Sequence, residues 1–443
     1  MKSLQFTVLF CLTFLGMQAQ QSFSLDEAVQ YALQNSNQVR LAQMESINAE
    51  ASIQEIRTAA IPKVNAGLDY QYNIIVPQFV LPGEVAGQEP GTFVAIDAGL
   101  PNNLTANISV NALLFDPTVF VGIQAAELYR DLVNKEMKQT NFEIRYNVEK
   151  AYLSVLIAEK NLDILKDNIK NLQKTLRETT AIYEEGFAEK LDVDRLSLSL
   201  ENLNTQAENT EQLIALTYNL LKFQMNYPIE EPLDLTNDID YLVNATLVED
   251  AVLLGTELQV EQRPEYATIK AGEELNVKNI ASKKAARYPS LYANGVYQQQ
   301  LQRNDLFDGS ELPWIDLSSI GVSLKIPVFN GFTTKYQIQQ AEVDLKKTQI
   351  QLNDFERAAT LEFQNARISY LNAKRTVNAN KKSLGLAQKI YDTTQIKYRE
   401  GVGSSLEVTQ AENDLYMAQG NYVTSLYDLL VAKTDLEKAL GMN

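Results

Sequence analysis

Histidine is absent from the 443 residues, and cysteine occurs once. Without histidine the chain lacks the commonest general base and metal ligand, so no hydrolytic triad can be built around one. The one cysteine, Cys11, lies in an apolar run at the amino terminus and follows Phe10, a poor context for lipidation. Downstream of that run the chain has no thiol and cannot form a disulfide. Basic residues are also scarce, 39 against 56 acids for a net charge of −17, a balance that argues against nucleic acid as a partner. Proline is missing from Thr118 to Glu185, where Gly122 is the only glycine, so nothing there interrupts a helix.

The first residues supply Lys2, an apolar run from Leu4 to Leu15 and small residues ending at Ala19. This is the pattern of a secretory signal peptide over 1–19, too short to span a bilayer.

The strongest internal signal is a repeat. Tyr183 to Val193 reads YEEGFAEKLDV, and Tyr398 to Val408, 215 positions later, reads YREGVGSSLEV. The register continues without a gap, pairing Ala151 with Ala366, Ser154 with Ser369, Ile169 with Leu384 and Leu221 with Leu436. A repeat of this length makes the chain one unit built twice rather than a string of unrelated domains. The expected division is a first repeat over 20–226, a connector over 227–262 and a second repeat over 263–443.

Each half opens with a helix. In the first, apolar residues recur at helical spacing from Leu25 to about Ala60, Ser24 and Glu27 form a capping-box pair, and Pro62 ends the segment. Arg263 and Pro264 open the second. Alternating segments follow. Val64, Ala66, Leu68, Tyr70, Tyr72 and Ile74 alternate with polar residues, as do Leu104, Ala106, Ile108, Val110, Ala112 and Leu114, which predicts strands over about 63–74 and 104–115 with one oily and one wet face. A Pro- and Gly-rich loop separates them. The second half predicts strands over about 289–299 and 319–328, separated by a loop over 301–316. Strands of roughly ten residues match a tilted bilayer crossing; the edge of a soluble sandwich reads the same way.

The long segments after the strands show a heptad seam, Val148, Tyr152, Val155, Leu162, Leu165, Ile169, Leu172, Leu176, Thr179 and Tyr183, repeated as Phe363, Tyr370, Val377, Asn380, Leu384, Ala387, Tyr391, Thr394 and Tyr398. A helix of roughly 65 residues is about 100 Å long. Glu159, Lys160, Lys166 and Asp167 exclude it from lipid. Gly186 and Gly401 turn each long helix back on a partner, which makes 183–193 and 398–408 the tips of helical hairpins. Four strands close no barrel, and an open edge in lipid leaves backbone groups unpaired, so several chains must pool their strands. Asn65, Asp69, Asn107 and Asn111 then face a wet lumen.

These features resemble the TolC-type outer membrane efflux proteins over essentially the whole chain after the leader. The resemblance implies a mainly α fold with a membrane β-barrel, a homotrimer whose twelve strands form one outer-membrane barrel on a periplasmic α-helical tunnel. It implies passive conduction to the outside, with no catalysis and no cofactor. It also implies outer membrane lipid around the barrel, a periplasmic adaptor (membrane fusion) protein at the tips and an inner-membrane pump behind it. Gly186 and Gly401 match the family's tip glycines, and Phe187, Ala188, Val402, Gly403 and Ser404 complete the adaptor surface. Asp192 and Glu407 match acids of the periplasmic constriction, and Tyr183 and Tyr398 match tyrosines of the closed-state contacts, so cation preference is expected. Where some relatives place a basic residue after the second tip glycine, this chain has Gly403, and Gln410 stands where a second acid can occur; its closing network therefore differs. A type I protein secretion duct and a non-conducting trimeric stalk are the competing readings, the stalk disfavoured by the polar strand faces. An enzyme of paired carboxylates has no constellation behind it, and no Met- or His-rich tract marks copper as a dedicated cargo.

Overall fold

The computed structural model describes residues 21–305 and 313–442. The leader expected over 1–19 and part of the loop expected over 301–316 lie outside these residues.

In chain order the elements are β1 (Gln21–Phe23), α1 (Leu25–Asn35), α2 (Asn37–Thr58), β2 (Lys63–Tyr72), β3 (Gln78–Pro82), β4 (Phe93–Asp97), β5 (Asn102–Phe115), α3 (Pro117–Glu184), α4 (Lys190–Met225), β6 (Leu233–Leu235), α5 (Ile239–Gly255), α6 (Pro264–Ala285), β7 (Ser290–Arg303), β8 (Ile315–Lys325), α7 (Thr333–Arg399) and α8 (Ser405–Leu440). They divide into two compact units. One comprises the chain up to Gln43, Glu136–Ala267 and everything from Asp354; the other comprises Met44–Lys135 and Thr268–Asn353.

The first unit is helical. The expected capping box is present, with the Ser24 N–H donating to the Glu27 carboxylate at 2.8 Å. The single helix expected from Leu25 is instead two. Ser36 leaves the helical region with ψ 134°, and its hydroxyl accepts from the Gln38 N–H at 3.2 Å. The serine's local bond competes with helix continuation. The seam of α3 is buried as expected at Val148, Tyr152, Val155, Leu162, Leu165, Leu172 and Thr179, whereas Tyr183 at its end is exposed.

The largest core gathers around Tyr152, which has no exposed surface. Its hydroxyl donates to the Phe23 carbonyl at 2.9 Å and accepts from the Asn237 N–H at 3.3 Å. Burial pushes this phenol up to about 12. The bonds fasten two short parallel strands, β1 and β6, to α3. The 227–262 segment is thus more than a connector: it contains β6 and α5. Helix α5 escaped the periodicity reading because it is apolar nearly all round, burying Ile239, Val243 and Leu253 while leaving Tyr241 and Val252 exposed. Arg263 is buried too, its guanidinium donating to Glu265 at 2.8 Å and Glu362 at 2.6 Å.

The second unit holds a four-stranded antiparallel sheet in the order β2-β5-β7-β8. The strand bounds shift from expectation. Strand β2 stops at Tyr72 rather than 74, β5 starts at 102 and β7 runs on to Arg303. Strand β8 covers 315–325 rather than 319–328, so Ile326 and Val328 lie beyond it, on either side of Pro327, which has no N–H to extend a ladder. A bulge between Leu113 and Phe115 sets Phe115 opposite Leu291, so Phe115 joins the apolar face in place of Leu114. The loop expected between the first two strands contains a small hairpin of its own, β3 with β4.

Candidate functional site

The ladder registers fix what each face of the sheet carries. Val64, Val110 and Gly295 are cross-strand partners, as are Ala66, Ile108 and Tyr297. With Ile320, Val322 and Leu324 of β8 they make one apolar, solvent-open face; Ile320 is 93% exposed. A soluble protein gains nothing from such a surface. The opposite face places Asn65 beside Ser109, Asp69 beside Thr105, Asn107 between Gly67 and Gln298, and Asn111 between Lys63 and Asn294. All four expected polar residues share this face. The Asn107 amide donates to Asp69 at 3.4 Å.

Two glycines make room on the polar face. A Cβ on Gly67 would stand 3.2 Å from the Asn107 side chain, and one on Gly321 would stand 3.2 Å from that of Asn294. Each asparagine side chain therefore packs close against a glycine of the neighbouring strand, where a larger residue would have to push it aside. Strands β2 and β8 each pair on one side only, which leaves two rows of backbone donors and acceptors open.

The repeated motifs form the two hairpin tips of the helical unit. Helix α3 ends in a two-bond cap, the Phe187 N–H on the Ile182 carbonyl at 3.0 Å and the Gly186 N–H on Tyr183 at 2.9 Å, with Gly186 at φ 84°. Helix α7 ends likewise, Val402 on Lys397 and Gly401 on Tyr398, both at 3.0 Å, with Gly401 at φ 74°. The caps leave Phe187 86% and Val402 77% exposed, and Ala188 half-buried. Gly403 has a separate reason to be glycine: a Cβ there would stand 3.1 Å from the Tyr398 nitrogen and 3.2 Å from the Lys397 Cβ. Ser404 caps α8, accepting from the Glu407 N–H at 3.3 Å.

The two acids at equivalent repeat positions have different surroundings. Asp192 is half-buried, accepts from the Glu189 N–H at 3.4 Å and accepts the hydroxyl of Ser405. Glu407 is exposed. The Asp192–Ser405 bond joins one tip to the other across 213 positions of sequence. A second tie runs from Arg399 to Glu178 at 3.4 Å. Tyr183 is exposed, whereas the Tyr398 hydroxyl is buried and has no hydrogen-bond partner among the described residues.

Sequence reasoning did not find Ser405, although it occupies the repeat position of Lys190 and that mismatch was the available signal. It also missed Glu412, about two turns further along α8. Only 2% of Glu412 is exposed, among Val408, Ala411, Leu415 and Tyr391. Burial raises its carboxyl, an effect opposed by the Tyr416 hydroxyl donating to it at 2.8 Å. Tyr391 is pushed up to about 12 by burial first and by Glu412 second. Among the described residues no three metal-ligating side chains cluster, and no helix is long and apolar enough to cross a membrane.

Comparison with known proteins agrees with this arrangement. The family model described as "Outer membrane efflux protein" matches residues 28–223 and 257–442, one match in each half. The outer membrane protein TolC of Vibrio cholerae is 20% identical over 419 residues, covering 94% of this chain and 90% of TolC. Among solved structures, CusC superposes with a TM-score of 0.74 at 16% identity and covers 96% of both chains. The MtrE outer membrane channel of Neisseria gonorrhoeae, in its open state, gives 0.72 at 17% identity, covering 94% of this chain and 89% of MtrE. With each of its two halves matched by the family model, the chain belongs to the outer membrane efflux protein family.

Proposed function

We propose that this protein is the outer-membrane exit duct of a tripartite efflux pump, conducting small molecules passively from the periplasmic side to the outside and catalysing no reaction. The observation behind this reading is the sheet: four strands, one apolar face, one polar face and two open edges. Such a sheet is satisfied in lipid only if its edges pair, because an unpaired backbone group there costs several kcal/mol. Three copies supply about 12 strands, enough for a water-filled barrel. The apolar face then meets outer membrane lipid, and Asn65, Asp69, Asn107 and Asn111 line the lumen. The paired halves, each helix-strand-strand-helix-helix, give the trimer its periplasmic helical tunnel.

At the tips, the exposed Phe187 and Val402 with Gly186, Ala188, Gly401, Gly403 and Ser404 form the surface that a periplasmic adaptor grips on behalf of an inner-membrane pump. Asp192 and Glu407 set the constriction, and Tyr183 and Tyr398 pack about it. Three copies of each acid near one axis favour cations and repel one another when ionised. The Asp192–Ser405 bond holds the two tips of one chain together, so breaking it is the opening step available within a protomer.

Single-channel conductance of the purified trimer in a planar bilayer tests this. Small cation-selective currents are expected from wild type, larger ones from Asp192→Ala/Glu407→Ala, and an intermediate rise from Ser405→Ala. Equal large currents in all three move the gate away from the tips. No current from a correctly inserted trimer refutes the duct.

A further inference from the structure

One group of exposed side chains on the second unit gathers beside a cavity. After β8 the chain runs Pro327-Val328-Phe329-Asn330-Gly331-Phe332, and both Gly331 (φ 62°) and Phe332 (φ 67°) adopt the left-handed region. That conformation is costly for an aromatic residue. The turn leaves Val328 91% and Phe329 74% exposed, with the Phe332 ring edge-on to Phe329 at 5.4 Å between centroids. Beside this wedge lies a cavity of about 260 Å³ whose walls include Arg287, Phe329 and Lys335.

Arg287 and Lys335 are exposed and make no ion pair among the described residues. The nearest interactions of Lys335 are with ring faces, 5.8 Å above Tyr336 and 6.0 Å above Phe332. Lys283 and Lys284 lie one turn before Arg287. No acid occurs from Asn276 to Asn304 or from Leu317 to Ala341. In a chain with net charge −17, two exposed cations that line one cavity, with no acid nearby in sequence, suit an anion from outside. The cavity is continuous in sequence with the apolar face of β8, through the exposed Leu324 and Ile326. An anion that arrives with hydrocarbon attached satisfies both halves of this surface.

We propose that the cavity binds the phosphate of an anionic phospholipid, with Arg287 and Lys335 pairing to the head group while Val328 and Phe329 lie along its acyl chains. Long basic side chains reach to head-group level while their stems stay in the apolar layer, and aromatic residues mark the same level. This rests on the sheet lying in a membrane, as the duct reading requires.

The test uses full-length protein folded into phosphatidylcholine vesicles doped with phosphatidylglycerol. Lipid retained per trimer after detergent extraction is read by native mass spectrometry, and conductance is recorded from the same vesicles. Wild type is expected to retain phosphatidylglycerol over phosphatidylcholine. Arg287→Gln/Lys335→Gln should lose that preference by about tenfold or more, from two cations at the membrane surface, with conductance unchanged. Lys335→Gln alone serves if the double variant does not fold. Equal retention of both lipids by wild type, an unchanged preference in the variant, or displacement of the lipid by inorganic phosphate overturns the site. No current from wild type sinks the duct reading and the lipid site with it; current without lipid preference sinks the lipid site alone.

Discussion

A single-residue step along β5 separates two outcomes that only the proposed barrel distinguishes. Ile108 lies near the middle of the strand between Ala66 and Tyr297, 50% exposed on the apolar face. Asn107, its neighbour, points to the polar face between Gly67 and Gln298. Arginine on the lipid face at the bilayer midplane costs about 2–4 kcal/mol per copy, or roughly thirtyfold to a thousandfold in the folding equilibrium at about 1.4 kcal/mol per tenfold. Three copies in one barrel compound the loss. At position 107 the same side chain stays in water, beside the Asp69 carboxylate that Asn107 already touches at 3.4 Å. Ile108→Arg is therefore expected to abolish assembly of a heat-modifiable trimer in lipid vesicles, while Asn107→Arg assembles near wild-type yield and shifts ion selectivity towards anions. Equal assembly of the two variants would refute the face assignment, and with it the membrane sheet.

Two further outcomes follow from the helical unit. Glu149 lines a cavity of about 680 Å³ with Arg145, Lys433 and Glu437, and burial, then the charge of Glu437, pushes its carboxyl from 4.5 up to about 7. A folded state that holds this proton more tightly is favoured below about pH 4.5 and loses that advantage as pH rises to about 7. The shift corresponds to at most about 3.5 kcal/mol, reduced to about 1–2 kcal/mol by solvent screening of this partly exposed group. Glu149→Gln should thus match wild type near pH 4 and exceed its thermal stability above about pH 7; parallel stability curves across that range would contradict the buried-carboxylate account. At the tips, Gly401→Ala meets nothing within 4 Å and should cost only the left-handed backbone, about 1–2 kcal/mol. Gly403 is not left-handed, so Gly403→Ala pays instead for crowding against the Tyr398 nitrogen at 3.1 Å and the Lys397 Cβ at 3.2 Å; a loss in thermal unfolding there marks a packing glycine, and no loss at Gly401→Ala would contradict the conformational account.

Most of the architecture was legible because it rests on periodicity. Alternation in β2 and β5 set their faces, and most of the heptad seam of α3 from Val148 to Thr179 is buried. The features that were not legible depend either on contacts between distant residues or on local chemistry that leaves no period. The bulge at Leu113/Phe115 is defined by its partner Leu291 in the other half of the chain. Helix α5 has no wet face to reveal its turn. The break at Ser36 comes from one side-chain hydrogen bond to Gln38. Glu412 reads in sequence like any acid on a solvent-facing helix, and only the packing of Tyr391 and Tyr416 around it shows otherwise.

The repeat itself predicts a symmetry that the tips do not keep. Asp192 and Glu407 occupy equivalent positions three residues into α4 and α8, and equivalent acids at helix starts would share the work of a constriction equally. The difference arises two residues earlier, where the first hairpin has Lys190 and the second has Ser405. Ser405 is buried, and its hydroxyl takes one lone pair of Asp192, so that acid is spent on holding its own chain together. Glu407 has only the helix start beneath it and stands exposed, free to face another chain or a passing cation. If the trimer closes as proposed, the first tip supplies cohesion within a protomer and the second supplies the charge between protomers. Removing Glu407 should then change ion selectivity more than Asp192 does, while removing Asp192 or Ser405 should change how often the channel opens.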